Sequence, residues 1–309
     1  LVWQGQFAGQ DNQMAERSLP PLLMKRFVEA HPEHIWVSLQ HGAPPLGAAN
    51  LVDWTAETVE FTQMAALIDA SRLSRAPSCS DLGFALGPRI NAGGRVGEST
   101  LGVRLLTTED PDEARAIAAQ LSTLNEERRA IEAAVQEAAE AQLDAQHNRA
   151  VLTLAGRGWH PGVIGIVAGR IKEKTGKPAL VIALDADEAG HGKGSGRSIA
   201  GVDLGAAIIA AREHGLLVAG GGHAMAAGLT VDPGKLDALA DWLDSRLGDK
   251  VMAAMAGQSL LLDLALAPGG LVPPLIEAMD SAGPFGMGWP GPRVAVGPVR
   301  LVKVDVVGA

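Results

Sequence analysis

The sequence predicts an α/β protein, and three observations carry that reading. Between Val151 and Leu247 short apolar runs alternate with amphipathic segments and glycine turns, the pattern of an α/β sandwich of about a hundred residues. Ahead of it, from Thr108 to about Gln146, apolar residues recur at three-to-four-residue spacing, which predicts a long helix linking two parts of the chain. After Gly257 the alternating Val294, Val296, Val299, Leu301, Val302 and Val304 read as strands of a smaller β domain. With 309 residues, 47% of them hydrophobic, there is material for about two packed domains.

Residues 1–65 differ in texture and are left unassigned. They hold three of the six tryptophans, three of the five phenylalanines and three of the eight histidines, and Pro20-Pro21, Pro32 and Pro44-Pro45 interrupt every period. The chain starts at Leu1, and a divergent or out-of-frame segment is the expectation for this stretch. His31, His34 and His41 lack a nearby cysteine or carboxylate set at ligand spacing, so a metal site is not predicted there. Residues 66–148 form the second segment. Met64, Leu67 and Ile68 predict a short helix ending near Ser71. Pro88 and Gly93-Gly94 predict an irregular loop, and Leu101–Leu106 opens a helical hairpin. Thr108 is the expected cap of the long helix, with Pro111, Asp112 and Glu113 in its first turn. Residues 149–250 follow as strand 151–154, helix 162–174, strand 179–184, strand 194–199, helix 202–213, a turn at Gly220–His223 between two short strands, and helix 233–247. Residues 257–309 supply the last domain, with strand 260–265 and helix 273–279 before its alternating valines.

Composition excludes several classes. Apolar runs are broken by Gly, Pro or charge well short of a bilayer span, and no basic leader precedes an apolar segment, so a cytoplasmic location is expected. One cysteine, Cys79, excludes an internal disulfide. The net charge of −9 disfavours a uniformly basic nucleic-acid surface, but its distribution is uneven. Ten acids face three arginines between Thr107 and Gln146. Residues 84–104 hold three arginines against Glu98, and residues 157–177 hold five Lys and Arg against Glu173. Basic patches on an acidic body suit a protein that admits a single strand in one place and repels it elsewhere. A plain acidic surface is the alternative.

Four stretches carry candidate chemistry. Gly220-Gly221-Gly222-His223 reads as an anion-cradling turn, since glycines leave backbone N–H groups uncovered, or else as a tight turn with a core histidine. In Phe84–Arg95 two guanidiniums, Arg89 and Arg95, stand six residues apart with Asn91 between them, a pattern for gripping phosphate oxygens or for tying a loop to a carboxylate. Trp159-His160-Pro161-Gly162 falls between a strand and a helix N-terminus. Ser195 and Arg197 lie on the glycine-flanked stretch 192–198, which lacks the spacing of an NTP-binding loop.

Gly220–Gly228, Phe84–Arg95 and Gly158–Ala168 with Gly194–Ser198, in that order, resemble the RecJ family of single-strand-specific exonucleases in the DHH phosphoesterase superfamily. The resemblance runs from about Ala66 to the C-terminus and thins after Val231. It implies a DHH-associated domain at 149–250 and a partial OB-type domain at 257–309. It also implies hydrolysis of single-stranded DNA from the 5′ end, manganese or magnesium in the intact enzyme, and a single-strand-binding protein and a repair helicase as partners. Carried over to this chain, it makes Arg89, Asn91, Arg95, Ser195, Arg197, Gly221, Gly222 and His223 substrate-binding, and puts His160 and His223 near the scissile bond. The aspartates and histidines that hold the metal ions in the family are absent from residues 1–65, so this chain is expected to bind no metal and to be inactive alone. Two other readings stand beside this one: a non-catalytic nucleic-acid-binding module, and an oligonucleotide or nucleoside-bisphosphate phosphatase of the same superfamily.

Overall fold

A computed structural model of the chain describes residues 62–185, 190–257, 259–286, 289–300 and 302–303. His31, His34, His41 and the rest of the unassigned stretch up to residue 61 lie outside the described residues. In chain order the helices are α1 (Thr62–Ser71), α2 (Gly87–Val96), α3 (Leu101–Thr107), α4 (Pro111–Glu140), α5 (Ile164–Thr175), α6 (Leu204–Glu213), α7 (Leu236–Ala256) and α8 (Pro273–Asp280). The strands are β1 (Leu152–Arg157), β2 (Ala179–Leu184), β3 (Gly192–Arg197), β4 (Ala219–His223), β5 (Ala226–Val231), β6 (Leu264–Leu266) and β7 (Val294–Val296). Two compact units result: residues 1–90, 103–119 and 260–309 in one, and 91–102 with 120–259 in the other.

Two local expectations are corrected. The Pro88 and Gly93-Gly94 stretch is helical, entered through a π-turn at Leu82–Leu86. Pro88 sits where the helix leaves that π-turn, directly after Gly87, whose N–H donates to the Leu82 carbonyl. Gly93 is needed for packing, because a Cβ there would stand 2.7 Å from the Glu98 carbonyl oxygen. At the start of α4 the cap is Asp110, whose carboxylate accepts from the N–H groups of Asp112 and Glu113, while Thr108 donates to Glu113. Residues 257–309 were expected to open an OB-type domain, and their described part contributes two three-residue strands, β6 and β7, paired in parallel.

The second unit is built on a five-stranded mixed sheet in the order β1-β2-β3-β5-β4, with β1 and β2 parallel and the other pairs antiparallel. Each face has its own apolar layer. On one side Leu152, Leu154, Ala179, Val181 and Ala183 pack against Val163, Val167 and Ile171 of the α5 region and against Val135 and Ala139 of α4. On the other, Val151, Leu180, Ile182, Leu229 and Val231 pack against Leu204 and Ile208 of α6 and Leu239, Leu243 and Leu247 of α7. The stretch 192–197 obeys this division through its period of two. Gly192, Gly194 and Gly196 face the crowded side, where Cβ atoms would meet Ile182, Leu229 and Leu204 within 2.9 Å. Lys193, Ser195 and Arg197 are left on the other face.

The exposed edge of β1 is closed by two glutamines. Gln146 accepts from the Thr153 N–H at 2.8 Å and donates to the Thr153 carbonyl at 2.6 Å. Gln142 does the same for Ala155, at 3.3 and 3.0 Å. Residues four apart on a helical turn rise about 6 Å and residues two apart on a strand about 6.6 Å, so the two side-chain amides stand in for a missing strand. Such a cap satisfies an edge that would otherwise template pairing with another chain. Gln146→Leu should therefore lower stability by about 1–3 kcal/mol in denaturant unfolding, since it leaves one N–H and one C=O without partners. It should also raise concentration-dependent association in light scattering.

In the first unit, Ser78 and Asp81 form a capping box, and Arg75 pairs with the same carboxylate at 2.7 Å. The Ser78 hydroxyl first, then Arg75, hold the Asp81 carboxyl down at about 2. A depressed carboxylate contributes stability above its unfolded value of about 4 and loses it as pH falls toward the folded value. Asp81→Asn should flatten the acid limb of the stability curve between about pH 4 and 2, measured by unfolding at several pH values.

Candidate nucleic-acid interface

The candidate residues meet at the first turn of α5. Its capping residue, Val163, offers no side-chain acceptor, so the helix begins with backbone N–H groups turned toward whatever lies ahead of it. Two glycines set what lies there. A Cβ at Gly165 would sit 3.0 Å from the Ser195 hydroxyl and 3.0 Å from Arg197 Nη2, so the helix can rest directly on those side chains. A Cβ at Gly162 would sit 2.1 Å from the Arg95 carbonyl oxygen, and Arg95 Nη1 donates to the Gly162 carbonyl at 3.1 Å. Arg95 on α2 and Arg197 on β3 are thus brought to the same helix end from distant parts of the sequence.

Their electrostatics are unbalanced. Burial first, and the Arg95 charge second, push the Arg197 guanidinium below its usual value, and no carboxylate counters them. A guanidinium still stays charged at any physiological pH. Arg197 Nη1 donates to Ser195 Oγ at 3.1 Å and to the Gly196 carbonyl at 2.8 Å, which fixes the hydroxyl and the guanidinium as one group. Two like charges beside an uncapped helix N-terminus and a hydroxyl form a place for an anion.

His160 precedes this turn. Its Nδ1 accepts from the Gly162 N–H at 3.0 Å, so the ring proton sits on Nε2 and the ring presents a donor outward. Arg89 and Arg95 stand six residues apart on α2, about 120° around the helix axis. Arg89 donates to the Ala85 carbonyl at 2.7 Å. Asn91, one turn before Arg95, shares its side of α2 and is exposed.

The glycine-rich stretch is not an anion-cradling turn. Gly220 to His223 are extended within β4, and the hairpin turn is Ala224-Met225. Gly220 and Gly222 are spaced for packing, since Cβ atoms there would meet Ile208 at 2.8 Å and the Ala226 carbonyl at 2.3 Å. Gly205 of α6 rests on the backbone of Gly222 and His223, which explains why this strand carries no bulk on that side. Gly221 differs. It pairs with Gly228 of β5, which pairs with Ser195 of β3, so the three form one row on the face that carries Arg197. A Cβ at either glycine would meet nothing within 4 Å. The next row runs Arg197, Ala226, His223, which puts His223 two strand spacings, about 10 Å, from Arg197. Lys193, on the same face, carried no weight in the sequence reading, although the strict Gly-Lys-Gly-Ser-Gly-Arg alternation was a signal for it. Gly228 entered that reading only as the end of the Gly220–Gly228 stretch, with no role of its own.

The arrangement offers donors and positive charge to an anion and does not suit a cation. Among the described residues no group of three or more His, Cys, Asp or Glu gathers to hold a metal ion. The residues around Arg95 and Arg197 do not fit one either, being guanidiniums, a hydroxyl and N–H donors. No helix among the described residues is long and apolar enough to cross a membrane.

Known proteins with this pattern are informative. The profile of the DHHA1 domain matches residues 147–249. The single-stranded-DNA-specific exonuclease RecJ of Dickeya dadantii is 39% identical over 236 residues, covering 74% of this chain and 40% of the relative. The Escherichia coli protein of the same name is 36% identical over 255 residues, covering 77% and 42%. Crystal structures of RecJ from Thermus thermophilus in complex with Mn2+ and with Mg2+ superpose with TM-scores of 0.61 and 0.63 at 30% and 29% identity. They cover 79% and 82% of this chain and 36% and 39% of theirs. The chain spans about 40% of the length of the curated relatives it matches. It is a RecJ-like C-terminal region that carries a DHHA1 domain.

Proposed function

We propose that this chain is the strand-gripping part of a 5′-to-3′ single-stranded-DNA exonuclease, and that it holds the 5′-terminal phosphate between Arg95 and Arg197 at the first turn of α5. The observation that carries the reading is that both guanidiniums reach the first turn of α5, Arg95 by donating to the Gly162 carbonyl at 3.1 Å and Arg197 by lying against Gly165 with Ser195. Ser195 and the α5 N–H groups complete the donor set. A phosphate there would be met by planar guanidinium forks and by a helix dipole, both of which favour it over a neutral end. His160, with its donor outward, and His223 contact the strand beyond the phosphate. Asn91 lies beside Arg95 as a further polar contact, and Arg89 supports α2.

The bare row of Gly221 and Gly228 favours the same reading. Glycine inside a strand costs roughly 0.5–1 kcal/mol relative to alanine, and neither residue is required by packing or by a left-handed φ. Glycine in such a place marks close approach of a ligand, here the sugar and base that follow the phosphate.

Hydrolysis belongs to the intact enzyme, where divalent metal ions would activate water and stabilise the phosphoryl transition state. On this reading the chain alone acts as a binding module, with an affinity for single strands that falls as salt rises. Metal-dependent degradation of a labelled single strand by the purified chain would contradict this.

Two substitutions test the grip. Arg197→Lys should weaken binding of a 5′-phosphorylated strand by about 1.5–3 kcal/mol in a fluorescence titration and leave a 5′-hydroxyl strand nearly unaffected. Equal losses on both strands would make Arg197 structural. Gly228→Val should keep or raise the melting temperature, since valine favours strands, and should weaken strand binding about tenfold. Unchanged binding would remove the close approach.

A further inference from the structure

One buried carboxylate in the same unit is unused by the proposed site. Glu132 in α4 is 1% exposed, and Asn125 and Arg128, on the same side of the helix, are 4% and 9% exposed. Glu132 pairs through Oε2 with Arg128, one turn away, and through Oε1 with Arg170 of α5. The second contact is an ion pair without hydrogen-bond alignment. Arg128 Nη2 donates to Asn125 Oδ1 at 3.0 Å, and its Nε is buried with no acceptor. Burial chiefly depresses the Arg128 guanidinium. Glu132 alone supports its charge, against Arg95, Arg129 and Arg170. Arg95 is the residue that reaches the α5 turn, and its charge also bears on Arg197. A single carboxylate therefore stands at one end of a line of guanidiniums that ends in the anion site.

We propose that Glu132 is a positioning residue for that site: by taking Arg128 on one oxygen and Arg170 on the other, it keeps the Arg128 charge from displacing Arg95 and anchors α5, whose first turn faces the anion. The inference rests on the phosphate reading above. It assigns Glu132 no contact with the strand. One partner a turn away on α4 and another on α5 make the carboxylate a joint between the helices, and a buried charge in such a joint is costly to leave unpaired. Without Glu132, Arg128 keeps its charge, is nine-tenths buried, and has Arg95 as a repelling neighbour.

The test uses the 309-residue chain and two single strands of one sequence, ending in a 5′-phosphate or a 5′-hydroxyl. The ratio of the two dissociation constants is read by fluorescence anisotropy, well below the melting temperature of each variant. Glu132→Gln should lower that ratio about tenfold, the size of effect usual when a supporting shell around a binding group is removed. The double change Glu132→Gln with Arg128→Gln removes both members of the pair and should bring the ratio back to within about threefold of wild type. A merely structural Glu132 would lower the melting temperature in Glu132→Gln and leave the ratio untouched, which overturns the proposal, as does a double variant no better than the single one. Should Glu132→Gln not fold, Arg128→Gln decides. A preserved ratio supports the proposal, because the carboxylate keeps Arg170 and the opposing charge is gone, and a tenfold fall overturns it. Arg197→Lys in the same assay separates the two readings. If it collapses the ratio and Glu132→Gln does not, only the role of Glu132 falls. If neither changes it, the phosphate reading falls as well.

Discussion

The approach of the first turn of α5 to Ser195 and Arg197 is the contact on which the rest of the site depends. It is possible because Gly165 has no Cβ, and a methyl group there would press on the hydroxyl and the guanidinium together. The turn before it is fixed in the same way, with the Arg95 carbonyl filling the space a Gly162 side chain would need. Two residues far apart in sequence, one from α2 and one from β3, reach a helix end because two glycines let the backbone come to them. The helix cannot shift to relieve the resulting repulsion, since Val167, Ala168 and Ile171 are buried against β1 and β2.

The sheet supplies the other half of that constraint. On β3, glycines face the side filled by α6 and α7, and Lys193, Ser195 and Arg197 face the side that α5 covers only in part. The two functions of the strand, packing and presentation, are separated by the period of two alone. A one-residue slip of register would turn Arg197 into the apolar layer between Leu180 and Leu204, so the hydrophobic demand on that side also fixes which side the arginine takes.

Much of this was legible in the sequence. The order of elements from Val151 to Leu247 followed from alternation, and the placing of Ser195 and Arg197 on one face followed from spacing. What misled was glycine. Glycine carries three messages that sequence cannot separate: a positive φ, a close neighbour, or a close ligand. Gly93 was read as a breaker and is a packing residue inside a helix. Gly220 and Gly222 were read as part of a turn and are strand residues against α6 and the β5 backbone. Among the glycines of β4 and β5, only Gly221 and Gly228 lack a neighbour that requires them, and pairing between strands, which no local pattern reveals, identified them. Arg89 and Arg95 looked equivalent at six-residue spacing while a loop was assumed. Once the segment is a helix, that spacing puts them on different sides.

The acidic total resolves in the same spatial terms. A net charge of −9 counts Glu132 with the surface acids of α4, yet Glu132 is buried and paired with two arginines, whereas Glu126, Glu127 and Glu137 of the same helix are exposed. Charge on a solvated helix is screened within about 8–10 Å at physiological salt. It therefore says little about Arg197, which is half-buried and where a lower dielectric strengthens each interaction. An anion drawn to this chain would meet repelling charge along α4 and donors at the first turn of α5. On the phosphate reading that turn favours an end that carries its own charge, because the helix N-terminus, the hydroxyl and both guanidiniums are all donors, and a neutral end would leave them desolvated without acceptors.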